Sequence, residues 1–203
     1  MERYMITHSL LYSWLYAMRD NPYEDATTER DPYNDFLKVL NREPTETTEA
    51  MQNGIDFENL VTAILNGNAD CTDKWYEAAD NIANRIRGGI LQCRASKEIE
   101  VAGITVLLYG RLDALRSGVI YDIKFSKSYD TGKYIDSTQH PVYFEIVPEA
   151  KEFTYLVSNG TNVWPETYRR DESQDIKVII SDFFSWLTAQ GLMQTYKEKW
   201  LAK

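Results

Sequence analysis

The chain has 203 residues, a formal net charge of −9 and two cysteines, Cys71 and Cys93. Its aromatic content, with five Trp and fourteen Tyr, argues against disorder, and its length suits a single domain over residues 1–203. With only two histidines, the cysteines do not make a convincing four-ligand zinc set or an all-thiolate iron–sulfur site, and the negative charge disfavours a broadly basic nucleic-acid-binding protein.

The N-terminal segment is predicted to begin with a helix over residues 7–18, where apolar side chains recur at helical spacing behind a capping Thr7 or Ser9. Polar residues interrupt this run and no small-residue cleavage site follows it, so we expect neither a membrane span nor a signal peptide. Free thiols then favour a cytoplasmic protein. Residues 20–46 contain three of the six prolines and predict an irregular connection with a short helix over 34–41.

A clearer helix is predicted over residues 47–66, because one apolar stripe follows a pair of capping threonines. Glu58 lies beside that stripe, and Gly54 stands one turn earlier on the same face, where it leaves room for a ligand or a strand. Glu58 is expected to be an ordinary surface residue unless another feature of the chain calls for a third carboxylate. A further helix is predicted over residues 73–92.

The charges are unevenly distributed along the chain. Residues 19–58 contain eleven acids and four bases, whereas residues 85–133 contain nine bases and five acids. Arg85, Arg87 and Arg94 cluster in the second region, either as phosphate contacts or as an exposed charged helix end. A basic region within an acidic chain weakens the charge objection to a nucleic-acid ligand.

Beyond Ser96 the apolar pattern changes to the alternation that is typical of strands. Glycine-containing pairs at Ala102-Gly103 and Ser117-Gly118 mark two turns. The pattern therefore predicts a three-stranded meander over residues 98–101, 104–115 and 119–125.

The turn at Ser117-Gly118 sets the register of the second hairpin. If it is a two-residue turn, Arg116 pairs with Val119, and counting outward places Asp113 opposite Asp122. Alternation then gives the hairpin two faces. The polar face contains Arg111, Asp113, Asp122 and Lys124, and the apolar face contains Leu112, Ala114, Tyr121 and Ile123.

Two aspartates directly across a hairpin repel each other, so a purely structural strand has little reason to contain them. A divalent cation would compensate the repulsion, and Mg²⁺ and Mn²⁺ prefer carboxylate, carbonyl and water oxygens. The alternative is an exposed hairpin whose acids and bases pair as surface ions. A one-residue slip in register would also separate the acids.

The remaining segments complete a mixed α/β protein. A basic loop is expected over residues 127–133, and a helix over 135–147 places Gln139 and Tyr143 on one face. We interpret His140 as a surface or capping residue and not as a metal ligand. The C-terminal patterns predict a hairpin over 153–159 and 163–169, followed by helices over 176–187 and 192–200.

Four short motifs occur in a distinctive order along the chain. They are Gly54 and Glu58 on a helix, Gly110-Arg-Leu-Asp113 on a strand, Asp122-Ile-Lys124 on the next strand, and Gln139 and Tyr143 on the following helix. This order resembles the PD-(D/E)XK nuclease superfamily, in particular its RecB-like branch of phage and CRISPR-associated exonucleases. The opening H-S-L-L-Y-S-W is similar to the first helix of these nucleases, whereas their Cys-Pro pair and four iron–sulfur cysteines are absent.

The resemblance implies a restriction-endonuclease-like core with a central mixed sheet flanked by helices. It implies that Asp113 and Asp122 bind Mg²⁺ or Mn²⁺, joined by the Ile123 carbonyl and by Glu58, which would bind directly, through water or at a second ion. Lys124 would position or activate the attacking water and stabilise charge on the phosphate. Arg111 would contact phosphate, and the last motif, Gln139 and Tyr143, would orient the DNA or the lysine.

The function expected from this resemblance is a metal-dependent DNA nuclease, foremost an exonuclease in phage-type recombination or end processing. DNA is the expected partner, with a recombination partner protein left open and the oligomeric state undetermined. Two alternatives stand beside it: a nuclease-fold binding or scaffold protein without activity, which suits the net charge, and a restriction-type endonuclease.

Overall fold

A computed structural model describes residues 2–19 and 31–202, and this part of the chain is a mixed sheet flanked by helices, which confirms the α/β class. Its strands are β1 (Tyr4–Ile6), β2 (Ile90–Val101), β3 (Ile104–Arg116), β4 (Val119–Phe125), β5 (Glu152–Ser158) and β6 (Val163–Arg169). Its helices are α1 (His8–Met18), α2 (Pro32–Leu40), α3 (Glu49–Leu65), α4 (Tyr76–Ile86), α5 (Gln139–Ile146), α6 (Ile176–Ala189) and α7 (Met193–Lys199).

Strand β3 is the centre of the sheet. Strand β2 pairs antiparallel along nearly all of β3, from Ile104 to Leu115. The opposite edge of β3 is shared, because β1 pairs with it in parallel at residues 106–108 and β4 pairs antiparallel at residues 114–116. Strand β4 continues in parallel with β5, and β5 pairs antiparallel with β6.

The shared edge of β3 contains a gap. Between the β1 and β4 ladders, residues 109–113 of β3 have no partner strand on this edge among the residues that the structure describes. Strands β3 and β4 therefore form a fork that is closed at the turn and open toward Asp113 and Asp122. The backbone groups exposed by this opening need other hydrogen-bond partners.

Local sequence explains where the helices begin. The side chains of Thr7, Asp31 and Thr48 accept hydrogen bonds from backbone N–H groups at the starts of α1, α2 and α3. The predicted helices over residues 7–18 and 47–66 are confirmed in this way. Residues 20–30 of the predicted connection lie outside the described residues, and the short helix that was expected near residue 34 is α2.

Helices cover both faces of the sheet with separate apolar clusters. In β4, Ile120 joins one cluster with α1, α2, α5, α6 and α7, whereas the next residue, Tyr121, packs on the other cluster with α3 and α4. The predicted apolar face is correct for Ala114, Tyr121 and Ile123. Leu112 instead belongs to the first cluster, because the β2–β3 pairing is interrupted between Leu112 and Ala114, where Gln92 of β2 has a φ of 50°.

The predicted helix over residues 73–92 is wrong at its C-terminal end. Helix α4 ends at Ile86, because Arg87 is extended and Gly88 has a φ of 81°. Leu91 and Gln92 belong instead to β2, which begins at Ile90, before the predicted strand. The first helix of the C-terminal pair, the second hairpin and the turn at Ala102-Gly103 are confirmed.

None of the helices in residues 2–19 and 31–202 is both long and apolar enough to cross a membrane.

Candidate functional site

The open end of the fork forms a cleft of about 330 Å³. It is built from the start of α1, one face of α3, the unpaired stretch of β3, the C-terminal half of β4 and the start of α5. The eight residues to which the resemblance assigns a role all line this cleft, namely Glu58, Arg111, Asp113, Asp122, Ile123, Lys124, Gln139 and Tyr143.

The hairpin register explains how the aspartates meet. Both residues of the Ser117-Gly118 turn have positive φ, 52° and 78°, as a tight two-residue turn requires. The turn pairs Arg116 with Val119 and Ala114 with Tyr121, which confirms the predicted register. The ladder stops one step before Asp113 and Asp122, whose side chains both enter the cleft.

Asp113 replaces the missing backbone ladder. Its Oδ2 accepts a hydrogen bond of 2.8 Å from the backbone N–H of Ile123, which has no β3 carbonyl opposite it. Burial, followed by the nearby charges of Asp122 and Glu58, raises the pKa of Asp113 to about 7. The carboxylate is therefore one whose negative charge the protein alone does not fully compensate.

Asp122 is held from two sides. The side-chain amide of Gln139 donates a hydrogen bond of 2.5 Å to Oδ1, and the Lys124 ammonium lies 2.8 Å from Oδ2. The Lys124 contact is an ion pair that partly neutralises Asp122. A cation in the cleft would therefore share Oδ2 with the Lys124 ammonium.

Lys124 carries a positive charge in this environment. Burial opposes the charged form, but Asp122 and, further away, Asp113 outweigh it and raise the pKa of Lys124 above its ordinary value. The ammonium suits the orientation of a water molecule and the stabilisation of negative charge. It is not a proton acceptor in this state of the site.

Glu58 reaches the same cleft from α3. Its Oε1 accepts a hydrogen bond of 2.8 Å from the Gln92 side chain and lies 3.3 Å from the Arg111 guanidinium. A Cβ at Gly54 would meet nothing within 4 Å, so the space that was predicted beside Glu58 is open. The side chain of Arg111 is half exposed, which leaves it accessible to a ligand.

Tyr143 supports the unpaired part of β3. Its hydroxyl donates a hydrogen bond of 3.0 Å to the carbonyl of Arg111, which lies in the stretch between the β1 and β4 ladders. Its ring lies so close to Gly110 that a Cβ there would come within 1.9 Å of a ring carbon. Gly110 is therefore required for α5 to approach β3, and Tyr143 in turn fixes the backbone next to Asp113.

Sequence reasoning missed His8, which lines this cleft, and Gln92, which contacts Glu58 from β2. Burial together with the Lys124 charge lowers the pKa of His8 to about 4, so its imidazole is neutral at pH 7. Gln92 was assigned to a helix, whereas it lies in β2 with a φ of 50° and binds Glu58. The resemblance of the opening helix was the one signal that pointed toward His8.

The prediction for His140 is wrong in its location. The ring is 4 % exposed and stacks on Tyr168 at a centroid distance of 4.5 Å. Burial lowers its pKa to about 4. His140 is a core residue, since α5 turns this position toward the aromatic side chains of β5 and β6.

The donor set of the cleft is compatible with Mg²⁺ or Mn²⁺. Among the described residues, no three His, Cys, Asp or Glu side chains form a ready metal-binding group. Mg²⁺ sites commonly use only one or two carboxylates, with water and substrate phosphate as the other ligands. The repelling carboxylates of Asp113 and Asp122 fit that limited requirement.

Comparisons with known proteins add information on the fold only. No family model matches the chain, and no curated protein matches it. Fourteen chains of solved structures are similar, among them one described as "Crystal structure of SSO0001", with 17 % sequence identity and a TM-score of 0.53. That match covers 94 % of this chain and 78 % of the other. At this identity the likeness supports the α/β fold and carries no function.

Proposed function

We propose that this protein is a metal-dependent nuclease of the PD-(D/E)XK class. Within that class, we propose a DNA exonuclease of the RecB-like branch, with phage-type recombination or end processing as the setting that the resemblance implies. The observation that carries the proposal is the buried pair Asp113 and Asp122 at the fork, with Lys124 beside it. These are the residues of the two central motifs.

In this proposal Asp113 and Asp122 hold the metal, with the Ile123 carbonyl and Glu58 as further oxygen donors. Mg²⁺ or Mn²⁺ neutralises phosphate charge and lowers the pKa of a bound water molecule. The chain supplies the repelling carboxylates that make such a cation favourable. The raised pKa of Asp113 indicates how unfavourable the site is while its negative charge lacks compensation.

The other side chains of the cleft suit a phosphodiester. The Lys124 ammonium lies against Asp122 and the Arg111 guanidinium against Glu58, and both can stabilise the charge that grows on phosphate oxygens. Gln139 fixes the orientation of Asp122, and Tyr143 fixes the backbone before Asp113. Both residues therefore act in the proposal by positioning the carboxylates, besides any contact with DNA.

A direct experiment follows end-labelled single-stranded, double-stranded and circular DNA with Mg²⁺, Mn²⁺ or EDTA. We expect nucleotide release from linear ends only, dependent on the metal and lost in Asp113→Asn. The exposed Asp182→Asn on α6 is a matched control that should retain activity. Cleavage of circular DNA would replace the exonuclease with an endonuclease, and no degradation of any substrate would contradict the proposal.

A second candidate is a nuclease-fold binding protein that does not cut. The net charge of −9 favours it, and so does the ion pair in which Lys124 partly neutralises the negative charge of Asp122. This candidate predicts that the folded protein binds no Mn²⁺. Calorimetric titration of Mn²⁺ into the purified protein therefore distinguishes the two.

A further inference from the structure

A second cavity, of about 250 Å³, opens beside the cleft. The two share His8, Lys124 and Gln139, so the second cavity begins where the carboxylate site ends. Its remaining walls include Tyr12 from α1 and Tyr134 from the loop before α5. Tyr134 lies outside the sequence motifs, and Tyr12 belongs to the opening H-S-L-L-Y-S-W, to which no role was assigned.

One face of α1 forms the first wall and extends away from the carboxylates. His8, Tyr12, Tyr16 and Arg19 follow at spacings of four, four and three residues, which places them along one side of the helix. Tyr12 and Tyr16 are 44 % and 40 % exposed, and their rings stack with centroids 6.3 Å apart. This stripe extends over about 16 Å from His8 to Arg19.

Tyr134, on the opposite wall, is held in place by contacts within the protein. The ring of Tyr134 stacks on the buried Tyr155 at a centroid distance of 4.3 Å, and its backbone N–H donates to Glu166. Glu166 also accepts hydrogen bonds from Tyr129 and Gly132 in the same loop. Tyr134 therefore belongs to a fixed wall and not to an exposed loop tip.

The charges of the cavity are mainly positive. Arg19, Lys124 and Lys133 line it, and among the described lining residues Asp136 is the one carboxylate, paired with Arg19 at 3.3 Å. Lys133 is exposed. Within the described part of the chain its ammonium donates hydrogen bonds to the Ser126 hydroxyl and the Ser128 carbonyl. In a chain of net charge −9, such a local excess of cations beside aromatic rings is a specific feature.

We propose that this cavity binds an unpaired base of a single DNA strand, and that the α1 stripe guides that strand to the carboxylates. The proposal rests on the proposed nuclease function and adds the form of the substrate. A base would stack on the exposed ring of Tyr12, with its phosphates near Lys133 and Arg19. Stacking on aromatic side chains with cations along the backbone is the usual mode of sequence-independent single-strand binding.

The size of the cavity favours a single base over a duplex. Drug-sized ligands occupy pockets of about 300–1,000 Å³, so a cavity of 250 Å³ suits one planar ring system. Bases in a duplex are already stacked on each other and do not offer a free face to Tyr12. The strand must therefore be unpaired at this point.

The test measures DNA binding by fluorescence anisotropy in EDTA, so that no strand is cut. The probes are a labelled oligothymidylate and a labelled blunt duplex. Loss of one stacked base weakens binding by about 5- to 150-fold, so we expect at least a fivefold loss of single-strand affinity in Tyr12→Leu. Tyr12→Phe retains the ring and should bind within about twofold of the wild type.

Two controls give the test its specificity. Tyr33→Leu removes a comparably exposed tyrosine from α2, outside the cavity, and should leave binding unchanged. In Lys133→Gln, the slope of log affinity against log salt should become shallower by about 0.7, as for one lost phosphate contact to a single strand. Thermal unfolding of each variant verifies that the fold is retained.

The outcomes separate this proposal from the nuclease proposal. Single-strand binding that is unchanged in Tyr12→Leu, lost equally for duplex, or absent in the wild type would overturn the cavity proposal. If binding depends on Tyr12 but metal-dependent degradation is absent, the cavity proposal stands and the nuclease proposal fails. If the wild type degrades DNA with metal but single-strand binding does not depend on Tyr12, the nuclease proposal stands and the cavity proposal fails.

Discussion

Two buried carboxylates, those of Glu166 and Asp113, have pKa values that their surroundings shift in opposite directions. Glu166 and Asp113 are each 8 % exposed. Burial acts to raise the pKa of Glu166, but hydrogen bonds from Tyr129, Tyr168 and two backbone N–H groups outweigh it, so the pKa is lowered. Asp113 accepts one hydrogen bond and faces two other carboxylates, and its pKa is raised to about 7.

The comparison indicates which carboxylate is structural. Glu166 is surrounded by donors and attaches the loop of residues 129–134 to β6, so its charge contributes to the folded state. The charge of Asp113 is destabilising without a cation, because the carboxylate is buried and the fork brings it toward Asp122 and Glu58. Residues that weaken the fold in this way are expected at functional sites.

The largest expected effect concerns Lys124, which accompanies the destabilising carboxylates. Lys124→Ala should lower metal-dependent DNA degradation at least about 100-fold, because the charge and water orientation at the phosphate are lost. Initial rates on end-labelled DNA measure the effect. Lys127→Ala, an exposed lysine three residues later, is the control. Undiminished activity in the Lys124 variant would contradict the assigned mechanism.

The next effect concerns stability without metal. Asp113 binds a proton more tightly in the folded state than in the unfolded state. The stability that this proton contributes is therefore fully present below pH 4 and is lost as pH rises through about 7. Relative to Asp113→Asn, which cannot ionise, the wild type should lose on the order of a few kcal/mol of unfolding free energy between pH 4 and pH 8. Urea denaturation in EDTA at several pH values measures this difference. A pH-independent difference would refute the raised pKa.

Glu166→Gln should show the opposite pH dependence. The lowered pKa of Glu166 means that its stabilisation is present above its ordinary range and is lost on acidification. At neutral pH we expect the variant to lose about 1–3 kcal/mol, because charge-assisted hydrogen bonds in a buried site are replaced by weaker ones. The same denaturation series tests it, and a variant as stable as the wild type at pH 7 would remove the contrast with Asp113.

The smallest effect concerns Gln92, which positions Glu58. Its φ of 50° costs a non-glycine residue about 1–2 kcal/mol, and Gln92→Gly relieves that strain while removing the hydrogen bond to Glu58. We expect a net stability change below about 1 kcal/mol, with activity lowered about tenfold, as for other residues that orient metal ligands. Rates and unfolding are measured together. Unchanged activity would show that Glu58 needs no such support.

The hairpin of the site was predictable because its determinants are local. The Ser117-Gly118 turn fixes the register, and alternation then places Asp113, Asp122 and Lys124 without any knowledge of the rest of the fold. The predicted meeting with Glu58, Gln139 and Tyr143 came from the order of the motifs and not from periodicity. The structure brings all of them to one cleft.

The fork itself was not predictable from local patterns. Beyond Tyr121, β4 leaves β3 and pairs only with β5 among the described residues, while β1, at residues 4–6, takes the same edge of β3 at residues 106–108. A three-residue strand paired across about a hundred positions leaves no periodic signal. Gln92 was missed for a related reason, since apolar spacing continued the α4 pattern beyond the break at Gly88.

The most direct test of the central claim is calorimetric titration of Mn²⁺ into the wild type, Asp113→Asn and the control Asp182→Asn. We predict binding to the wild type and the control, with more proton release at pH 6 than at pH 8.5, because Asp113 must lose its proton to the cation. Asp113→Asn should bind weakly and release no such proton. No binding to the wild type, or equal binding to Asp113→Asn, would contradict the assignment of the fork as a metal site.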